Sequence, residues 1–444
     1  MFTPEVKVAV YPFTRQAEGE EIVIGRVDTG VFLSLPPDAV EILDLLRAGE
    51  TVGRTREIYG QKYGETPDME DFLGFLHGKG FVRVYDPEAA RAARPVDVQA
   101  ASDSQTNPQT NAQTNSPTDS QVPAASAVRY HFADFPVPLA RKLFGVTALS
   151  IGSVIFALAV AAAFLDPSVR PHRDSLVFSE HRTLKTLALM MMGYTTVFIH
   201  EMGHLIAARA VGVSSRLGIS SRMWVLVAET DMTGLWSVPK RQRYLPMLAG
   251  PVIDVVSASL ITLVLFGHHQ GWIALHPVAV ELGSAMVVVY LLRLLWQCFF
   301  FVRTDFYYVI AAFFGCKNLM KDTQVHIRNL SRRFFGNRPP VDQSSIPEGE
   351  RRVIRSYAWV WLLGRVAAMW MLFFVTLPVA GQYIRASGAT LMAGFSGDSY
   401  AFLDALFIVV FYLFPLGLGM GLWIRGLIKQ RRLPREREPR VATT

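Results

Sequence analysis

The sequence predicts a polytopic α-helical membrane protein, with about six transmembrane helices and a small N-terminal α+β domain of winged-helix-like pattern. Three observations carry this expectation. Of 444 residues, 51% are hydrophobic and only 18% are charged, which excludes a disordered chain or an ordinary soluble enzyme. Six stretches, near residues 143–164, 184–211, 246–267, 278–302, 357–379 and 402–424, are apolar enough for the roughly 20-residue helix that a lipid core requires. Residues 1–90 instead alternate strand-like and helix-like patterns.

Within that head, residues 21–25 and 30–35 are β-prone and joined by Asp28-Thr29-Gly30, a turn sequence. Helical periodicity follows over 37–48, with Val40, Leu43 and Leu46 inward, over 51–63, and over 68–79, with Phe72, Phe75 and Leu76 inward. Residues 81–85 return as a strand. Residues 91–130 are rich in Ser, Thr, Gln, Asn and Pro and nearly lack large apolar side chains, so they cannot offset the entropy of folding. They predict a disordered tether between the head and a membrane domain spanning 131–430, with a basic tail at 431–444.

The net charge of +7 resembles a nucleic-acid signal until it is divided. Residues 1–95 carry 11 Lys/Arg against 16 Asp/Glu, so the positive excess lies in the rest of the chain. There it clusters in the 212–245 loop, in 303–355 with ten basic residues, and from Arg425 onward with seven more. The alternate loops hold only Arg170, Arg173, Arg182 and Arg385. The positive-inside rule therefore places both termini in the cytoplasm, and nucleic acid is not an expected partner. With the first apolar span near residue 143, no signal peptide is expected. Cys298 and Cys316 are the only cysteines, which argues against a disulfide framework or a Cys-based zinc site.

The chemistry is concentrated in the second span, in Phe198-Ile199-His200-Glu201-Met202-Gly203-His204. His200 and His204 are one helical turn apart, so their imidazoles share a face and can grip one Zn²⁺, with Glu201 beside them as a base for water. Ionisable groups inside an apolar span are costly, which favours function over the plainer reading of a polar helix interface. A catalytic zinc normally takes three protein ligands. Asp305, in Arg303-Thr304-Asp305-Phe306-Tyr307-Tyr308, is the preferred third ligand; paired with Arg303, it would be only a boundary charge. Asp254, in Gly250-Pro251-Val252-Ile253-Asp254, is the competing ligand.

Together these motifs resemble the site-2-protease family of intramembrane zinc metalloproteases, over residues 184–315. His200, Glu201 and His204 match its zinc-helix motif, Gly250-Pro251 its Gly-Pro-x-x-Asn element, and Asp305 its third-ligand aspartate. Asp254 stands where the family more often has Asn, so it must be protonated, paired or near the metal. Phe306 follows the aspartate where many members have Gly, and this variant looks like the peptide zinc metalloprotease branch, associated with peptide maturation and export. The resemblance implies one zinc per chain, peptide hydrolysis with Glu201 as proton acceptor and donor, and residence in a bacterial cytoplasmic membrane. A substrate must be extended to be cut. Residues 223–231 are β-prone, and Val225 and Val227 are expected to offer an edge strand to it, with Gly250, Pro251 and Asp254 as further substrate contacts. An interfacial hairpin anchored by Trp224 and Trp236 is the equal alternative.

The head, through Asp28-Thr29-Gly30 and Leu35-Pro36-Pro37-Asp38-Ala39-Val40-Glu41-Ile42-Leu43, resembles the pyrroloquinoline-quinone-chaperone type of precursor-recognition domain over residues 5–85. That resemblance implies capture of a leader peptide as an added strand beside the helix at 68–79. The expected function is leader removal or maturation of a ribosomally made, modified peptide, with the bilayer, peptide-modifying enzymes or an exporter as partners. Alternatives are cleavage of a membrane-anchored regulator and a non-catalytic export or maturation scaffold.

Overall fold

The computed structural model describes residues 2–19, 21–26, 29–84, 135–178, 182–316, 318–335, 341–343, 346–394 and 399–432. The expected tether at 91–130, Asp28 of the expected turn, and the tail beyond residue 432 lie outside these residues. The chain divides into two compact units, the second spanning Tyr130–Pro434.

The N-terminal unit runs β1 (Val8–Val10), β2 (Thr14–Glu18), β3 (Glu21–Arg26), β4 (Val31–Leu35), α1 (Pro37–Arg47), α2 (Val52–Tyr63), α3 (Met69–Gly78) and β5 (Val82–Val84). Strands β2, β3 and β4 form an antiparallel meander, and β1 pairs antiparallel with β5. Local chemistry sets the helix ends. Pro37 occupies the first turn of α1, where its missing N–H costs nothing. Thr51 and Asp68 cap α2 and α3 by accepting from Arg54 and Asp71 backbone N–H groups, and Gly64 ends α2 in the left-handed conformation. Ile24, Leu43, Leu73, Leu76 and Phe81 are fully excluded from solvent and form the core. Every element expected between residues 21 and 84 is present. Two strands, β1 and β2, were not anticipated: β1 is three residues long, and β2 reads Thr-Arg-Gln-Ala-Glu, without an apolar alternation to reveal it.

The second unit comprises α4 (Val137–Leu143), α5 (Val146–Leu165), α6 (Arg182–Ala210), β6 (Arg216–Arg222), β7 (Val225–Asp231), α7 (Lys240–His269), α8 (Pro277–Gln297), α9 (Asp305–Phe313), α10 (Leu319–Phe335), α11 (Glu348–Met371), α12 (Leu377–Ala393), α13 (Ser399–Ile408) and α14 (Phe414–Arg432). Single π-helical turns at Leu372–Thr376 and Val409–Leu413 join α11 to α12 and α13 to α14. Among the described residues, five helices or helix pairs are long and apolar enough to cross a membrane: Val137–Leu165, Lys240–His269, Pro277–Gln297, Glu348–Ala393 and Ser399–Lys429. Large apolar side chains such as Phe164, Trp370 and Met392 project outward from them, as in a protein whose surroundings are lipid.

Six spans were expected, and α6 is the one outside this set. It has the length, 29 residues, but its threonines, Tyr194 and the His-Glu-His cluster dilute its apolar character. Its surroundings compensate those polar groups. The buried Lys185 ammonium pairs with Glu281 on α8 at 2.5 Å, and Gly203 leaves room for Ile253 of α7, since a Cβ there would lie 2.3 Å from the Ile253 methyl. Helix α6 thereby packs closely on both α7 and α8.

Candidate metal centre

Helical spacing brings His200 and His204 to one face of α6, where both are buried, at 4% and 1% exposure. Their Nε2 atoms are 3.2 Å apart. Asp305 arrives from the start of α9, its Oδ2 lying 3.1 Å from His200 Nε2 and 3.3 Å from His204 Nε2. Its position is built locally. Thr304 caps α9 by accepting from Tyr307 N–H, and its hydroxyl donates to the Gln297 carbonyl at 2.8 Å. The Gln297 side chain then holds Asp305 at both ends, donating to Oδ2 at 2.9 Å and accepting from its backbone N–H at 3.0 Å.

The other imidazole nitrogens are also occupied. His200 Nδ1 lies 2.8 Å from Asp254 Oδ2, and His204 Nδ1 lies 2.7 Å from the Pro246 carbonyl. Both partners are acceptors, so each Nδ1 is placed to donate, which in a neutral imidazole leaves Nε2 to present a lone pair. Two such lone pairs and a carboxylate oxygen converge within 3.3 Å. That arrangement is repulsive unless a proton or cation lies among them, and the donor set of two imidazoles and one carboxylate suits a transition metal. His200, His204 and Asp305 are a three-residue group able to hold a metal ion, with all ligand atoms within 4.8 Å of one another. Carboxylate and carbonyl support of the outer nitrogens is the usual surrounding of metal-binding histidines.

Asp254 is therefore paired, and it is not part of that three-residue group. Its second oxygen accepts from Arg293 Nη1 at 3.1 Å, and Arg293 Nη2 donates to Thr196 Oγ1 at 2.6 Å. The chain Thr196–Arg293–Asp254–His200 links α6, α7 and α8 through the apolar interior. Gly250 lies directly against the two imidazoles: a Cβ there would be 2.3 Å from His200 Nε2 and 2.4 Å from His204 Nε2. Only glycine permits this approach of α7.

A cavity of about 400 Å³ opens on this group, lined by His200, Glu201, His204, Asp305, Arg293 and the β7 residues 226–230. Glu201 Oε2 accepts from Thr230 Oγ1 at 2.7 Å, which aims the carboxylate beside the histidines. Val227 lines the cavity, whereas Val225, Gly250, Pro251 and Asp254 do not; Gly250 lies against the imidazoles and Asp254 against His200 Nδ1. The hairpin turns at Met223-Trp224, with Met223 in the left-handed region, and pairs Arg222 with Val225, Ser220 with Val227 and Ile219 with Ala228. In such a two-residue hairpin the pair flanking the turn exchanges hydrogen bonds. Val225, Val227 and Glu229 therefore bond β6, and Leu226, Ala228 and Thr230 direct their backbone groups to the opposite edge. Among the described residues, β7 has no other strand partner. Helix α14 lies against the turn and the start of that edge, since a Cβ at Gly419 would be 2.2 Å from the Trp224 carbonyl oxygen and 3.2 Å from the Leu226 nitrogen.

Asp305 does not pair with Arg303. The sequence reading missed Arg293, Gln297, Thr196 and Thr230. Of these only Arg293 carried a signal, as a charge well inside an otherwise apolar span. Both cysteines are free thiols. Fold and site define a helical membrane protein with a candidate His-His-Asp metal centre, and no protein-family model, curated protein or solved structure matches the chain.

Proposed function

We propose that the protein is an intramembrane zinc endopeptidase of site-2-protease type, which captures a precursor peptide through its N-terminal unit and cleaves it, removing a leader or maturing a ribosomally made, modified peptide. One observation carries the reading: two buried imidazoles whose Nδ1 atoms face acceptors and a carboxylate converge beside Glu201, in a cavity lined by β7, which has no second strand partner among the described residues. His200, His204 and Asp305 would hold zinc, which when bound supplies Lewis acidity and a water of lowered pKa. Glu201, oriented by the Thr230 hydroxyl, accepts the proton of the attacking water and returns it to the leaving amine. Asp254 and the Pro246 carbonyl keep the imidazoles in their ligating tautomer. The outward edge of β7 holds the peptide extended, so that its carbonyls are not occupied in helical hydrogen bonds.

In this reading α6 is the sixth span, its charged and polar groups turned toward α7, α8 and the cavity. The basic loops support a topology in which the hairpin, the 303–355 segment and both termini face the cytoplasm, in a bacterial inner membrane. The test is mass spectrometry of a candidate precursor co-expressed with wild type or Glu201→Ala, after both are shown to bind zinc. A defined fragment with wild type alone is expected. No fragment from either, with zinc bound and the precursor associated with the N-terminal unit, would refute the peptidase.

A further inference from the structure

Beside the candidate centre lies a second cavity, of about 430 Å³, at the base of the hairpin. The two cavities share Arg222, Glu229, Thr230, Met232, Arg303 and Tyr308 in their walls, so they meet along β7. Five charged groups, three arginines and two carboxylates, line the second cavity, and four of them are matched. Arg216 Nε pairs with Asp231 Oδ2 at 3.0 Å, and Arg222 pairs with Glu229. Arg303 is left over. It is exposed, and among the described residues its guanidinium has no hydrogen-bond or ion-pair partner. Asp305, two residues on, is turned to the histidines and Gln297.

The main chain carrying this cation is fixed on both sides. Val302 and Thr304 are buried, Thr304 bonds the Gln297 carbonyl, and the Arg303 carbonyl accepts from Arg222 Nε at 2.9 Å. The Tyr308 hydroxyl, in the same cavity wall as Arg222, Arg303 and Glu229, likewise has no hydrogen-bond partner among the described residues. Donors without acceptors at the junction of two cavities are a recognition feature for an anion. The anion must be modest in charge, because Glu229 and Asp231 share the wall.

We propose that Arg303 and Tyr308 form a specificity subsite that receives an aspartate or glutamate side chain of the extended peptide lying along β7. This rests on the peptidase reading for the identity of the ligand as a peptide, and on the two cavities for its place. The subsite would select substrates bearing an acidic residue a short distance from the bond presented to Glu201, on the hairpin side.

The test uses the full chain in nanodiscs carrying Glu201→Gln, so that binding is read without turnover. The probes are fluorescein-labelled peptides with one apolar segment and a Gly/Ser-rich flank in which a single Asp, or Asn in its place, is scanned along the flank. Fluorescence anisotropy is expected to give about fivefold tighter binding of the Asp probe at one position, as for a partly exposed ion pair. Arg303→Gln should erase that preference, Arg303→Lys keep it, and Arg303→Glu transfer it to Lys-bearing probes. Tyr308→Phe should weaken it partially. Equal binding of Asp and Asn probes at every position, or a preference that survives Arg303→Gln, would overturn the subsite. The same probes given to the Glu201-intact protein separate the two claims. Cleavage without Asp preference removes only the subsite, and preferential binding without cleavage counts against the peptidase while the subsite stands.

Discussion

The aspartate at position 254 illustrates how a single residue's meaning depends on partners distant in sequence. An intramembrane carboxylate is costly alone, yet here it accepts from His200 on one oxygen and from Arg293 on the other, so its charge is matched and its lone pairs are used. Removing it strands both partners. Asp254→Ala is expected to lower zinc affinity about 10- to 100-fold, the usual effect of losing a carboxylate behind a metal-binding histidine. Asp254→Asn, which still accepts from Nδ1, should lose less; equal affinity for all three proteins in chelator competition would contradict this. Gly250 gives a sterically sharper test. A methyl group there would sit 2.3–2.5 Å from the histidine rings, so Gly250→Ala should displace both imidazoles and abolish stoichiometric metal binding. Full zinc occupancy in that variant would show that the interior yields more than close packing allows. The His-Glu-His spacing and Asp305 were legible in sequence because each carries its chemistry locally or through a motif. Gln297 and Thr230 were not, and Arg293 showed only as a charge in an apolar span, since their contacts exist only where α6, α7, α8, α9 and β7 meet.

At the scale of the element, β7 is the part whose reading the structure refines most. Its β propensity was visible in sequence, and β6, Arg-Leu-Gly-Ile-Ser-Ser-Arg, was hidden by its lack of alternation. Without β6 the register is unknown, and with it the two edges separate. Val225 and Val227 face their hydrogen bonds to β6, so proline at either position damages the hairpin itself. Ala228 is the discriminating position, because its N–H points to the opposite edge. Ala228→Pro is expected to reduce peptide cleavage at least about tenfold while zinc content and the hairpin remain, consistent with loss of one or two strand hydrogen bonds. Unchanged cleavage would remove the edge-strand role and leave β7 as an interfacial hairpin. The helices of the N-terminal unit were read to within a residue or two, because their apolar periodicity coincides with cap and stop residues at Thr51, Asp68 and Gly64.

Across the whole molecule, hydropathy found five of the six expected apolar spans, and charge asymmetry predicts an orientation for them, while the helix that carries the candidate metal centre is the one whose composition departs most from a lipid-facing span. The orientation is checkable with a membrane-impermeant maleimide on intact spheroplasts, in a background where the exposed Cys298 is serine. A cysteine at Gln270 should label from outside and one at Gln343 only after lysis; the opposite pattern would invert the topology. The central claim is that three side chains, delivered by α6 and α9, hold one metal ion with Glu201 standing free as a base. Its most direct measurement is elemental analysis of purified wild type, His204→Ala, Asp305→Ala and Glu201→Ala. The account predicts about one zinc per chain in wild type and Glu201→Ala, with little in the two ligand variants. Equal metal in all four proteins, or none in any, would contradict it.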